Sequence, residues 1–154
     1  MIEATFGHVN VIARDWRALA RFYTEVFGCT FVPPERDISG SVLERGTGIL
    51  GAALTGAHLR LPGLGADGPT LEIYQFASMP DEPESTPDRP GFRHIAFGVP
   101  SVAEAREAVL AAGGGTIGEI VTTQTKDGRF VTWTYLTDPE GNILELQAWS
   151  DTAP

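Results

Sequence analysis

The sequence predicts an α+β fold that is built from a duplicated module. Two strand-like segments each carry a histidine as their third residue, His8 in the first half of the chain and His94 in the second. Each half also carries a glutamate in a later apolar segment that follows a glycine, Glu72 and Glu145 respectively. In each half, an apolar pattern with helical spacing comes directly after the histidine segment. These three observations predict two related halves, each with one helix and several strands.

The first half begins with a strand, because residues 8–11 alternate between polar and apolar. A helix is expected next, since Asp15 is a favourable N-cap and Gly28 a favourable end. The apolar residues that recur at helical spacing between them are Trp16, Leu19, Phe22 or Tyr23, and Val26. Strands are then expected near residues 30–32, at 48–54 together with 57–61, and at 70–76.

The second half repeats this plan. Its first strand ends at Val99, and Pro100 and Ser101 open a helix that is expected to end at glycines 113–115. Strands are then expected near residues 116–121, at 130–137 and at 143–149, with turns at 127–128 and 140–142.

One domain is expected over residues 1–154, with module 1 at 5–77, a linker at 78–90 and module 2 at 91–150. The linker is rich in Pro, Asp, Glu and Ser, which is typical of an exposed connecting segment. The two histidines are further apart in the chain than the two glutamates. The first module therefore carries extra residues, which are expected within 46–69.

The composition excludes some classes of partner. A formal net charge of −9 argues against a nucleic-acid or anionic membrane surface, because phosphate binding needs clustered Lys and Arg. Cys29 is the only cysteine, so no intramolecular disulfide can form and a cytoplasmic location is expected. No apolar run approaches the roughly 20 residues of a membrane span, and no signal peptide is evident.

The alternation of the strands predicts a shared face for the charged residues. In each half the histidine and the glutamate lie opposite the apolar residues of their strands, so that the apolar side can pack under a helix. Two imidazoles and two carboxylates suit a divalent transition metal, and a metal would neutralise carboxylates that are costly to bury. His8, Glu72, His94 and Glu145 are therefore the candidate ligands of Ni, Co, Zn, Mn or Fe. The rival interpretation is a hydrogen-bond network of the same residues without metal.

Other polar and aromatic residues are candidates for substrate binding. They are Asn10, Trp133, Tyr135, Lys126 and Arg129, with Gln147 as a further residue on a ligand-bearing face. Trp133 and Tyr135 alternate on one strand, and that strand face is either a pocket wall or core. Lys126 and Arg129 flank a turn and form either a solvated hairpin or a clamp for an anionic group. The third histidine, His58, has no counterpart in the second half and is interpreted as a structural or surface residue.

The motifs of the chain resemble those of the vicinal oxygen chelate superfamily, which includes glyoxalase I, methylmalonyl-CoA epimerase, extradiol dioxygenases and the fosfomycin and bleomycin resistance proteins. The matching segments are residues 6–28, Gly91–Phe97 and Asp138–Leu146. The resemblance implies two tandem βαβββ modules whose curled mixed sheets form a metal-binding cup, and a homodimer. By position, His8, Glu72, His94 and Glu145 match the four ligand positions of the family.

The resemblance implies a divalent-metal-dependent lyase or isomerase that moves a proton next to a carbonyl of a chelated small substrate. Glu145 is the first candidate for the group that moves this proton, and Glu72 is the second. One alternative is an Fe(II) extradiol-type dioxygenase, although such enzymes use two histidines and one carboxylate. The other alternative is a non-catalytic drug- or metabolite-binding protein, a class that has commonly lost these ligands.

Overall fold

The computed structural model describes residues 2–81 and 85–153, so residues 82–84 of the expected linker lie outside the described part. The chain divides into two compact units, Met1–Glu82 and Pro83–Pro154. Each unit has one mixed β-sheet with helices, which confirms the predicted α+β class. Within the described residues, no helix is long and apolar enough to cross a membrane.

The first unit contains a four-stranded sheet and two helices. Its elements are β1 (His8–Ile12), α1 (Trp16–Phe27), β2 (Thr30–Ser39), α2 (Ser41–Thr47), β3 (Ala53–Arg60) and β4 (Thr70–Phe76). The strand order is β1-β4-β3-β2, in which β1 is parallel to β4 and the remaining pairs are antiparallel. The parallel pair places the first and last strands of the unit side by side.

Helix α1 begins and ends where the sequence predicts. The Asp15 carboxylate accepts hydrogen bonds from the backbone N–H groups of Arg17 and Ala18, at 3.1 and 3.0 Å. At the other end Gly28 adopts a left-handed conformation with φ 69°, and its N–H donates to the Thr24 carbonyl. The buried residues of the helix are Trp16, Leu19, Ala20, Phe22 and Tyr23. They pack against β3 and β4, which fixes the apolar side of the sheet.

The segment between α1 and β3 differs from the prediction. Residues 41–47 form α2, and residues 48–52 form a turn in place of most of the strand expected at 48–54. Helix α2 has no buried residue, so it lacks the apolar periodicity that reveals a helix in a sequence. Strand β2 is longer than expected and shifts register between Val32 and Arg36, where two prolines offer no N–H to the ladder.

The second unit repeats the arrangement with a shorter connection. Its elements are β5 (His94–Gly98), α3 (Val102–Ala111), β6 (Gly115–Thr116), β7 (Val121–Gln124), β8 (Phe130–Thr137) and β9 (Ile143–Ser150). The order is β5-β9-β8-β6, with β7 also paired to β8, and β5 is parallel to β9. Ser101 caps α3 through the Glu104 N–H, as predicted. The strand expected at 116–121 is replaced by the two short strands β6 and β7.

A buried carboxylate shapes the turn that precedes β9. Asp138 is 1% exposed and accepts hydrogen bonds from the backbone N–H groups of Glu140 and Asn142, each at 2.9 Å, and from Asn142 Nδ2 at 2.8 Å. Gly141 completes the turn with a φ of 87°. The turn starts β9 with Ile143 paired to Thr137, and this register determines which residues face Glu145.

Candidate metal centre

In the first unit, the pairing of β1 with β4 places His8, Asn10 and Glu72 on one face of the sheet. Asn10 lies directly beside Glu72 in the parallel register. The alternate residues of β4, Leu71 and Ile73, are fully buried on the side covered by α1. The predicted separation of a helix-covered face from a polar face therefore holds for β4, whereas four of the five residues of β1 are exposed.

The Glu72 carboxylate is the centre of a polar cluster. Its Oε2 accepts a hydrogen bond from Asn10 Nδ2 at 2.8 Å and lies 3.6 Å from His8 Nε2. Its Oε1 lies 2.9 Å from His58 Nε2. The Glu72 side chain is only 12% exposed, whereas that of His8 is 50% exposed. Both oxygens of this carboxylate therefore have a nitrogen partner, and the His8 side is the one open to solvent.

His58 belongs to this cluster, which the sequence analysis missed. It lies on β3 directly opposite Glu72 in the antiparallel register. Its Nδ1 is 2.9 Å from Thr70 Oγ1, and its ring makes an edge contact with His8 at 5.6 Å. Burial lowers the pKa of His58, and the charges of Arg36 and His8 lower it further. The Glu72 charge opposes them but does not reverse the shift. The contact between His58 and Glu72 depends on the β3–β4 register, which the sequence alone does not reveal.

Tyr74 closes the cluster beside a required glycine. Its hydroxyl is 3.5 Å from His58 Nε2, and burial together with the neighbouring Glu72 carboxylate raises the pKa of Tyr74 to about 12. Its strand partner is Gly56. A Cβ at Gly56 would lie 2.1 Å from the Ile73 carbonyl oxygen and 2.4 Å from Tyr74 Cδ1. The absence of a side chain at this position lets the Tyr74 ring lie on the sheet.

The second unit carries the other predicted pair. His94 Nε2 lies 3.1 Å from Glu145 Oε2, and the two side chains are 34% and 18% exposed. Tyr135 on β8 is directly opposite Glu145, and its ring centroid is 5.1 Å from that of His94. Burial raises the pKa of Tyr135, and the Glu145 charge adds to this effect.

The position of Trp133 and Tyr135 resolves an alternative that the sequence left open. Trp133 contacts the Tyr135 ring at 5.3 Å. Thr134 and Leu136, which alternate with them, are fully buried on the opposite face. The two aromatic residues therefore lie on the face of His94 and Glu145, not in the core under α3.

The two basic candidates lie elsewhere in the second unit. Lys126 is exposed in the β7–β8 turn, and Arg129 donates from Nε to Asp151 at 3.2 Å while its guanidinium covers the Trp149 ring. Arg129 precedes Tyr135 by six residues on an extended strand, a distance of about 20 Å. The structure does not bring this pair to His94 and Glu145. Gln147, on the ligand-bearing face, accepts a hydrogen bond from Trp149 Nε1.

The candidate ligands thus occur as one His–Glu pair in each unit. Within residues 2–81 and 85–153, no group of three or more His, Cys, Asp or Glu side chains is arranged to hold a metal ion. The donor types nevertheless suit a borderline transition metal, since each pair offers an imidazole Nε2 and a carboxylate oxygen that are partly open to solvent. A groove of about 520 Å³ beside Arg106 and residues 116–120 contains none of these residues.

The pattern of paired modules agrees with comparisons to known proteins. The model of the Glyoxalase/Bleomycin resistance protein/Dioxygenase superfamily matches residues 5–146. The chain belongs to this superfamily. The resemblance that the sequence motifs predicted is therefore confirmed. No curated protein matches the chain significantly.

Solved structures of the superfamily share the fold. A glyoxalase family protein from Bacillus cereus is 18% identical with a TM-score of 0.78, and the match covers 97% of both chains. One from Enterococcus faecalis is 26% identical with a TM-score of 0.58, over 93% of this chain and 96% of the other. A glyoxalase I mutant from Zea mays is 18% identical with a TM-score of 0.63, over 92% of this chain and 45% of that one.

Proposed function

We propose that this superfamily member is a divalent-metal-dependent lyase or isomerase that moves a proton next to a carbonyl group of a small substrate. The observation that carries the proposal is the repetition of one His–Glu pair. In each unit the histidine lies on the first strand and the glutamate on the last, and the two strands are parallel neighbours. Each pair offers the same two donor types at the same position, and the proposal therefore takes both pairs as metal ligands.

The metal ligands in this proposal are His8, Glu72, His94 and Glu145. The donor set fits Ni, Co, Zn, Mn or Fe, because imidazole and carboxylate both bind these ions. When bound, such an ion supplies Lewis-acid stabilisation of negative charge on a substrate oxygen. The chemistry at the neighbouring carbon then depends on a residue that can take a proton and return it.

Glu145 is the candidate for that proton-moving group. In the described part of the chain, only His94 reaches the Glu145 carboxylate, whereas Glu72 has partners at both oxygens. A carboxylate with fewer fixed hydrogen bonds can reorient toward a substrate at lower cost. Trp133 and Tyr135 supply an apolar wall on the same face, where the carbon skeleton of a small substrate can pack.

A non-catalytic ligand-binding protein is the second candidate. The observation that favours it is the Glu72 cluster, where Asn10 and His58 already satisfy the carboxylate by hydrogen bonds. Such a network is stable on its own and needs no ion to offset the burial of the charge. In this case the aromatic face of Trp133 and Tyr135 would bind a drug or metabolite.

Hydrogen exchange at carbon distinguishes the two candidates. Metal-free protein is reloaded singly with Ni²⁺, Co²⁺, Zn²⁺, Mn²⁺ or Fe²⁺ and incubated in heavy water with α-hydroxycarbonyl compounds and acyl-CoA thioesters. NMR should show deuterium entering the carbon next to the carbonyl, with loss of exchange in Glu145→Gln and retention in the control Glu119→Gln, a change at an exposed position. No exchange with any ion would favour the binding protein. Oxygen uptake with catechols by the iron form would identify a ring-cleaving dioxygenase instead.

We also propose a homodimer with a cytoplasmic location. The dimer follows from the resemblance stated above. The location follows from the single cysteine, which is typical of proteins from reducing compartments.

A further inference from the structure

We propose that His58 is a positioning residue that holds the Glu72 carboxylate with Oε2 directed to the His8 side. This inference rests on the proposed function, because it concerns how a candidate ligand is oriented. His58 Nε2 lies 2.9 Å from Glu72 Oε1, and His8 Nε2 lies near the other oxygen, at 3.6 Å. The two carboxylate oxygens therefore have different partners, and His58 occupies the one away from His8.

The ring of His58 is itself held on its other side. Its Nδ1 is 2.9 Å from the hydroxyl of Thr70, a residue that is only 9% exposed. An ionised carboxylate only accepts hydrogen bonds, so Nε2 must carry the hydrogen that it shares with Glu72. In the neutral ring Nδ1 is then the acceptor, and the Thr70 hydroxyl donates to it. Thr70, His58 and Glu72 thus form a chain of hydrogen bonds with one defined direction.

The sheet makes this arrangement rigid. His58 is opposite Glu72 in the β3–β4 ladder, and Thr70 is two residues before Glu72 on the same strand. All three side chains therefore project from adjacent positions of one paired face. Tyr135, the residue in the same register of the second unit, has no hydrogen bond to Glu145 in the part of the chain that the structure describes. Among the described residues, this chain of hydrogen bonds to a candidate ligand occurs in the first unit and has no counterpart in the second.

Hydrogen-bond partners that orient a metal ligand typically change metal affinity by roughly 10- to 100-fold when they are removed. The positioning role therefore predicts an effect of that size at His58, although His58 is not one of the four ligands. It also predicts that a side chain with an N–H donor at this position can replace the histidine in part, whereas a ring without a donor cannot.

The experiment measures Co²⁺ affinity and the visible spectrum of the Co²⁺ complex for metal-free protein and four variants. His58→Phe keeps a ring beside His8 and Tyr74 but removes the donor, and His58→Gln keeps an N–H donor. Thr70→Val removes the hydroxyl that fixes the ring. Thr122→Val, which removes an exposed hydroxyl that is hydrogen-bonded to Thr132, is the matched control for Thr70→Val. Circular dichroism verifies that each variant is folded. Because variants are made at both His58 and Thr70, the test remains valid if one of them does not fold.

His58→Phe should weaken Co²⁺ binding by roughly 10- to 100-fold and alter the spectrum, Thr70→Val should do so to a smaller degree, and His58→Gln should retain most of the affinity. Thr122→Val should bind as the unchanged protein does. Unchanged affinity and spectrum in His58→Phe and Thr70→Val would overturn the positioning role while leaving the proposed function intact. Complete loss of metal in both His58 variants would also overturn it, because His58 would then be a ligand. If the unchanged protein binds no metal, the proposed function fails and this inference fails with it.

Discussion

Tyr135 holds in the second sheet the register position that His58 holds in the first, since each lies directly opposite the candidate ligand glutamate of its sheet. The backbone plan is therefore duplicated, but the surroundings of the two glutamates are not. Asn10 lies beside Glu72, whereas Ala96, at the same place in the second unit, offers no side-chain donor to Glu145. Glu72 therefore has more side-chain partners than Glu145, which supports the proposal that Glu145 is the group that moves the proton.

Replacement of Gly56 should destabilise the fold. A Cβ at this position overlaps the Ile73 carbonyl and the Tyr74 ring, so Gly56→Ala should cost about 1–3 kcal/mol of unfolding free energy in urea denaturation. The matched control is Gly46→Ala in helix α2, where a Cβ would meet nothing within 4 Å. That change should be neutral or stabilise by about 0.5–1 kcal/mol. Equal stabilities of the two variants would contradict the close approach of Tyr74 to β3.

Removal of the Asp138 carboxylate should lower the free energy of unfolding. Asp138→Ala removes the acceptor of the Glu140 and Asn142 N–H groups in a half-buried turn, at an expected cost of about 3 kcal/mol. Asp127→Ala, in the exposed β7–β8 turn, is the control and should leave stability nearly unchanged. Chemical denaturation of both proteins measures the difference. A small effect at Asp138 would show that the turn does not depend on its carboxylate.

Cys29 should be unreactive in the folded protein. It is 1% exposed, and burial raises the pKa of its thiol from 9.0 to about 11. A chromogenic disulfide reagent should therefore modify it only after denaturation. Because the folded pKa is the higher one, this thiol contributes stability that is fully present below pH 9.0 and is lost as the pH rises toward about 11. Comparison of the unfolding free energies of the unchanged protein and Cys29→Ala between pH 9.0 and about 11 isolates the contribution of the thiol. Rapid labelling of the native protein would refute the prediction.

The basic residues of the β7–β8 hairpin should be dispensable for binding at the candidate centre. Lys126→Ala and Arg129→Ala, separately and together, should leave Co²⁺ affinity and any exchange activity unchanged, because Arg129 lies about 20 Å along the strand from Tyr135. Tyr135→Ala, which removes a ring that contacts His94, is the positive control and should change both. A large rise in the KM for an anionic substrate in the double variant would instead support the interpretation of Lys126 and Arg129 as a clamp for an anionic group.

Local patterns in the sequence were sufficient to predict much of the fold. Asp15 and Gly28 determine the ends of α1 through contacts within a few residues, and alternation on β4 places Glu72 opposite the buried Leu71 and Ile73. Helix α2 has no buried face and therefore no periodic signal. The break in β2 depends on how a long strand pairs around its two prolines, which is not a local property.

The residues of the candidate metal centre could be predicted only in part, because some of their contacts also depend on strand pairing. The repeat points to the histidine and the glutamate of each unit, because both members of each pair recur in the sequence. His58 does not recur, and its contact with Glu72 arises from the register between β3 and β4, two strands joined by a loop. The aromatic pair Trp133 and Tyr135 likewise needed the β8–β9 register to be assigned to the polar face.

The proposed metal ligands are His8, Glu72, His94 and Glu145. The most direct test of this proposal is elemental analysis of protein purified without chelators or a metal-affinity step, for the unchanged chain, His8→Ala, Glu145→Ala and the surface control Glu119→Ala. We expect about one Ni, Co, Zn, Mn or Fe per chain in the unchanged protein and the control, and loss of that metal in both site variants. An unchanged protein that contains no metal, and gains no thermal stability when any of these ions is added, would contradict the proposal.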